Sequence, residues 1–511
     1  MGNSGASRII QNTGWLYAKI AVNMIILIFT TRLILNGLGA EDYGIFNIVG
    51  GAITMLGFFN STMAHATQRF MNYSEGEGNY NKQKQIFNVG IILHIGVAII
   101  ISIIFFIIGF FYFEDILNVP SNRVAAAKVV YGSLVISTIF TVLTAPYEAA
   151  MNAHENFRYF AIVSIFENIL KLGIALICVY SKYDKLIIYG ILMGLIPIIT
   201  LSIMRYYCHK NYEECIFKPR IYYSSTMAKE MISFAGWNFL AATTSLVGHS
   251  GMSLVLNNFF GVLLNAAQGI ATQVGGAFMN LSANAIKALT PMLTKSEGSN
   301  DREKVHYMTL LGCRIPYYIT TSFTIPIFLL TPEILNIWLT EVPEWAILFT
   351  RLQIIKNLID LLFKNLSSAI YAQGNIKLFT ITSSFFYILP LGLAAIAFYY
   401  GSAPSFLYII WIIVTVLGGI STLVVCHIVT NLSIKQYLIE VLAKCVFVTA
   451  ICLLPYAIFI EEQSPIEIKI LGNLFATFAF IILGYRIIMQ EKERVQIFAF
   501  ITSLYHKFVK K

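Results

Sequence analysis

Three basic residues lie where a bilayer tolerates charge least. Lys171, Arg314 and Lys356 each fall inside a long apolar run. They sit about nine to twelve residues from either end, close to the middle of a hydrocarbon layer at about 1.5 Å per helical residue. A charge at that depth costs roughly 2.5–3.5 kcal/mol on insertion scales and must face protein or water. Lys19, Arg69, Lys287, Lys364 and Lys444 lie nearer to an end, where a long side chain reaches the headgroups. The carboxylates in or near the same runs are Glu148, Glu167 and Asp360. Glu167 precedes Lys171 by one helical turn, and Lys356, Asp360 and Lys364 follow one helical stripe. Arg351, Lys356 and Lys364 against Asp360 leave a cationic surplus; Arg offers a fork for two oxygens of an anion, Lys a point charge. Arg32, Lys171, Arg314, Arg351 and Lys356 are therefore the candidate anion-binding residues. Glu148, Glu167 and Asp360 are the candidate carriers of a coupling proton or sodium ion. The competing reading is structural: ion pairs buried between helices, with Arg32 an interfacial anchor.

The elements that hold these residues are membrane spans. With 57% hydrophobic and 12% charged residues, the composition is that of a chain whose main solvent is lipid. Windows of about 20 apolar residues predict about fourteen transmembrane helices in an all-α polytopic protein. Six lie in the first half, over 13–35, 44–64, 86–113, 124–145, 159–180 and 186–207. Eight follow, over 231–256, 262–289, 305–330, 345–371, 377–400, 405–428, 438–460 and 466–488. Residues 14–76 recur without a gap at 236–298. Gly14-Trp15 returns as Gly236-Trp237, Asn36 and Gly39 as Asn258 and Gly261, and Ser74-Glu75-Gly76 as Ser296-Glu297-Gly298. A step of six spans is even, so the repeat predicts two six-helix lobes related by an axis along the membrane normal. The expected units are 1–221, 222–435 and an additional hairpin with a tail, 436–511. The scaffold repeats but the charge does not, since Lys19 and Arg32 align with Ala241 and Leu254.

Basic residues gather at every second loop and in the tail, among them Lys82, Lys84, Arg158, Arg205, Lys218, Arg220, Lys295, Arg302, Lys435, Arg486, Lys492, Arg494, Lys507, Lys510 and Lys511. This predicts cytoplasmic N- and C-termini. The formal charge of +9 sits mostly in these flanks, so it gives no case for nucleic acid. Seven cysteines without a CxxC spacing argue against both a disulfide framework and a metal site. The histidines, His154 and His249 among them, are scattered without metal-ligand spacing. No nucleophile–base pair, large outer loop or phosphate-cradling glycine loop appears, so no enzyme activity and no cofactor are expected. A membrane enzyme acting on lipid-linked sugars is a remote alternative.

The run from Arg32 to Val49, RLILNGLGAEDYGIFNIV, resembles the N-terminal signature of bacterial polysaccharide transporters. These flip lipid-linked sugar repeat units and belong to the superfamily of the multidrug and toxin extrusion (MATE) proteins. The resemblance implies a MATE-like fold in the bacterial inner membrane. It also implies movement of an undecaprenyl-diphosphate-linked oligosaccharide from the inner to the outer leaflet, by alternating access through a cationic central cavity. Its partners would be that lipid-linked oligosaccharide, a coupling ion and a polysaccharide polymerase. Asn23, Asn257, Asn258, Gln268, Gln273, Asn284 and tyrosines are the candidate sugar contacts. A lipid II flippase of the same superfamily fits as well. A cation-coupled multidrug exporter fits less well, because span 1 carries Lys19, Asn23 and Arg32 and no acid.

Overall fold

The computed structural model describes residues 3–495 except 56, 112, 114–119, 340, 462–463 and 492. The tail lysines at 492, 507, 510 and 511 therefore lie outside the described residues. Every regular element among the described residues is helical. Backbone groups in lipid must be satisfied within the segment, and a helix does this. The order is α1 (Asn3–Met55), α2 (Gly57–Glu77), α3 (Tyr80–Phe111), α4 (Val124–Ala153), α5 (Phe157–Tyr180), α6 (Lys185–Asn211) and a short α7 (Pro219–Tyr222). There follow α8 (Ser225–Phe260), α9 (Val262–Gly298), α10 (Arg302–Leu329), α11 (Thr331–Trp338), α12 (Ala346–Gln373), α13 (Lys377–Tyr399) and α14 (Phe406–Thr430). Last come α15 (Ile434–Tyr437), a π-helical turn (Leu438–Ala443), α16 (Lys444–Phe459) and α17 (Ile466–Ile487).

Polar side chains mark several helix starts. Asn156, Asp184 and Asp301 each accept a hydrogen bond from a backbone N–H of the first turn, opening α5, α6 and α10. The internal repeat has a conformational counterpart. Gly39 kinks α1 at φ 81°, ψ 167°, and Gly261, its partner in the repeat, separates α8 from α9 at φ 78°, ψ −172°. That region of backbone space is open essentially to glycine alone, which explains why both copies keep the residue.

Ten of the described helices are long and apolar enough to cross a bilayer, or eleven if α10 and α11, bent by 79°, form one span. The segments expected at 262–289 and 345–371 fall short of that mark, and the one expected at 44–64 includes residue 56, outside the described residues. In α12 the reason is charge, since Arg351, Lys356, Asp360 and Lys364 occupy one helix. In α9 it is a run of amides and hydroxyls, including Asn265, Gln268, Gln273, Asn280 and Asn284. The helices richest in candidate ligands are among the less lipid-like of the described helices.

Residues 11–239 pack as one compact unit and the described residues from 240 onward as a second, which includes α16 and α17. In the first, α4 lies closely against α6. A Cβ on Gly190 would come within 2.8 Å of Val130, and one on Gly194 within 2.8 Å of the Ser133 carbonyl oxygen. Two glycines one turn apart thus let the helices meet, as small residues do in membranes. In the second unit, Met252, Leu256, Ala271, Phe349, Tyr408 and Trp411 form a buried cluster that fixes α12 against α8, α9 and α14.

Candidate functional site

Helix α12 carries its charges along one stripe, and the second unit builds a cleft over it. Lys356, Asp360 and Lys364 share that cleft with His249 of α8, Ser383 and Tyr387 of α13, and Trp411, Thr415 and Thr422 of α14. The cleft encloses about 730 Å³ of empty space, part of it open to the outside. Lys356 is 8% exposed, and its ammonium lies 5.0 Å from the centre of the Trp411 ring, within cation–π range. Lys364 Nζ lies 3.9 Å from Asp360 Oδ2. Two ammonium groups therefore face one carboxylate, with hydroxyls and aromatic rings around them.

The His249 ring lies 5.3 Å from that of Trp411. Sequence reasoning grouped His249 with the scattered histidines. The repeat held a signal, because position 249 aligns with Leu27 in the first copy, another place where the scaffold repeats and the chemistry does not.

The opposite side of α12 is apolar. Ile354, Ile355, Leu358 and Leu362 line a second cleft, of about 750 Å³, together with Tyr317, Phe328, Val446 and Leu453 from α10 and α16. One helix thus separates a charged cleft from a greasy one.

Arg314 has a different environment from that expected. It is 1% exposed on α10, and its Nη2 donates to Glu493 Oε1 at 2.6 Å. Glu440 Oε2 lies 3.8 Å from Nη1. Glu493 also accepts the backbone N–H of Gln490 at 2.8 Å, while the Gln490 amide donates to Glu440 at 2.8 Å. The expectation of an uncompensated cation is corrected here. The sequence reading counted Glu148, Glu167 and Asp360; it left out Glu440, which lies inside the expected span 438–460, and Glu493, which follows α17. The same hairpin is tied to α10 and α11 by Tyr318 donating to Ile481 O, Asn473 donating to Pro326 O, and a Lys469–Glu333 pair at 2.8 Å.

The remaining candidates are not among the residues that line the α12 cleft. Arg351 is half-buried but does not line it; five residues from Lys356, it projects about 140° around the helix. Lys171 donates to Glu167 at 2.7 Å, each about one-third exposed, so this pair is closed on itself. Arg32 is exposed on α1 and Glu148 half-buried on α4. Elsewhere on α1, Asn23 donates to Ser164 Oγ at 3.3 Å, and Lys19 lies over the Phe160 ring.

The signature run has a structural role. Its Asp42 is held by Arg123, which also donates to Asp184 at 2.6 Å. Hydrogen bonds donated to Asp184 and then to Asp42 hold the Arg123 guanidinium above its ordinary pKa. Partial burial pushes the Asp184 carboxyl upward, but its hydrogen bonds to Arg123 and to backbone outweigh this and bring it below the usual carboxylate range.

Among solved structures, a MATE protein in its bent conformation superposes with a TM-score of 0.73 at 14% identity, covering 86% of this chain and 99% of its own. The fold is that of the MATE transporters. An outward-facing multidrug resistance MATE transporter of the MOP superfamily gives a TM-score of 0.71 at 12% identity, over 84% of this chain and 98% of its own. A MOP superfamily transporter from Pyrococcus furiosus, described as having a binding pocket of reverse polarity that suggests a different function, gives 0.66 at 14% identity, over 84% and 98%. No protein-family model and no curated protein matches the chain. At 12–14% identity these likenesses show the fold alone, and the membrane assignment rests on the described helices long and apolar enough to span.

Proposed function

We propose that this chain is a flippase that carries a diphosphate-linked, polyprenyl-anchored oligosaccharide across the bacterial inner membrane by alternating access. The observation that carries the reading is the position of α12 between two unlike clefts. Lys356 and Lys364 against Asp360 offer a net positive site for phosphate oxygens. Trp411, Tyr387, Ser383 and Thr415 offer the stacking faces and hydroxyls that sugars use. The apolar cleft on the other side fits a prenyl chain, whose burial is favourable by about 0.8 kcal/mol per methylene-sized group. A ligand with a charged head and a long apolar tail is the chemistry the two clefts share. In this reading the chain crosses the membrane about fourteen times as two six-helix lobes with an added hairpin, both termini inside. Arg314 serves the tail, and Lys356 serves the ligand.

The MATE-fold neighbours favour a second reading, a multidrug exporter. Against it stands the sign of the cleft, because a cationic drug would meet two ammonium groups. Cells carrying Lys356→Ala should lose surface glycan while the protein stays in the membrane at normal level, and their drug sensitivity should not change. Raised drug sensitivity with intact surface glycan would move the assignment to the exporter.

A further inference from the structure

The two S-E-G turns of the repeat end in the same carboxylate but meet different partners. In the second unit Glu297, 3% exposed, is held by Arg302 Nη1 at 2.9 Å. That guanidinium does not titrate in the physiological range. In the first unit the counterpart, Glu75, faces an imidazole. His154, immediately after α4, has its Nδ1 3.6 Å from Glu75 Oε1 and its Nε2 2.6 Å from Glu214 Oε1. Glu214, in the segment after α6, is 3% exposed, and the His154 ring stacks on Tyr212 at 4.1 Å. Gln83 of α3 donates to the second oxygen of Glu75 at 2.7 Å.

A neutral imidazole has one donor nitrogen and one acceptor nitrogen, and ionised carboxylates only accept. Facing a carboxylate with each nitrogen, the ring satisfies both only as imidazolium. We propose that His154 is the proton-binding site of the first unit, with a proton whose arrival draws α2, α4 and the segment after α6 together and whose loss lets them part. The titratable and charged groups that face it are Glu75 from α2 and Glu214 and Tyr212 from the segment after α6. Cys208, Cys215, His209 and Arg205 lie behind them. Protonation takes the trio from two negative charges to one, and the deprotonated trio leaves Glu214 buried against a ring that can donate to only one carboxylate. In the second unit the corresponding carboxylate is held by Arg302, whose guanidinium keeps its charge.

The proposal rests on the transporter reading but is tested without any substrate, so its failure leaves the flippase assignment standing, and failure of glycan export leaves this one standing. Amide hydrogen exchange of the full-length protein in nanodiscs, corrected for the intrinsic pH dependence of exchange, is measured across about pH 5 to 8. Protection over 208–218 should fall by about fivefold or more as pH rises, the scale of one lost hydrogen bond. Protection over 296–304 should stay level. His154→Gln should abolish the response, and Glu75→Gln, which removes the more distant carboxylate, should reduce it. A level profile over 208–218 in the wild type would overturn the proposal, as would the same pH response in His154→Gln.

Discussion

Arg314 and Lys356 are both buried cations of the second unit, on neighbouring helices, and they are buried in opposite ways. Arg314 is sealed by a carboxylate delivered from beyond the last span, at a normal charge-assisted distance. Lys356 has an aromatic face at 5.0 Å, an aspartate one turn away, a second ammonium beyond it, and open space in front. Depth in the membrane is the same kind of cost for both. The two differ in how each cost is compensated: within the folded chain for Arg314 and, in the function proposed above, by an anionic ligand for Lys356.

The sealed site should respond most strongly to mutation. Glu493→Ala leaves the buried Arg314 guanidinium with only Glu440, 3.8 Å away, a loss of about 3 kcal/mol, the low end for a broken buried pair. The expected result is a large fall in melting temperature in detergent and a low level in the membrane. Replacing both partners by leucine should restore much of it, because the charge that needs compensation is gone. An unchanged melting temperature in Glu493→Ala would erase the contrast between the two cations.

Much smaller effects are expected where the pair meets solvent. Glu167→Gln should change stability by no more than about 1 kcal/mol, since Lys171 and Glu167 are each about one-third exposed. The clamp of Arg123 on Asp184 gives a pH signature of similarly small size. The folded state holds Asp184 below its ordinary pKa, so its contribution is present near neutrality. It disappears as the solution is acidified through the depressed value, below about pH 4. The melting-temperature difference between wild type and Asp184→Asn should therefore shrink in acid, and a difference that grows in acid would reverse the sign argued here.

Sequence made some of this legible and hid the rest for physical reasons. The stripe of Lys356, Asp360 and Lys364 was readable because helical spacing alone places residues four apart on one face. The kinks at Gly39 and Gly261 were readable as a repeated glycine. Glu493 was hidden because it approaches Arg314 from beyond the last span, and no local period reports a contact between residues 179 positions apart; Glu440 lies inside the expected span 438–460 but comes near Arg314 only through tertiary packing. His249 and Trp411 were hidden for the same reason: the cleft needs α8, α12, α13 and α14 side by side, and only tertiary packing brings them there. The charge of α12 also misled a simple hydropathy reading, since the helix that best fits a ligand is among those least apolar.

The central claim is that the cleft over α12 binds the anionic head of a lipid-linked substrate, and binding tests it more directly than transport does. The purified full-length protein in nanodiscs is titrated with a polyprenyl diphosphate, and the wild type is compared with Lys356→Ala at matched thermal stability. Losing one ammonium contact to a diphosphate should weaken binding by about tenfold, or about 1.4 kcal/mol, and raising the salt concentration should weaken the wild type more than the variant. Equal affinity of the two proteins, with the same salt dependence, would contradict the account.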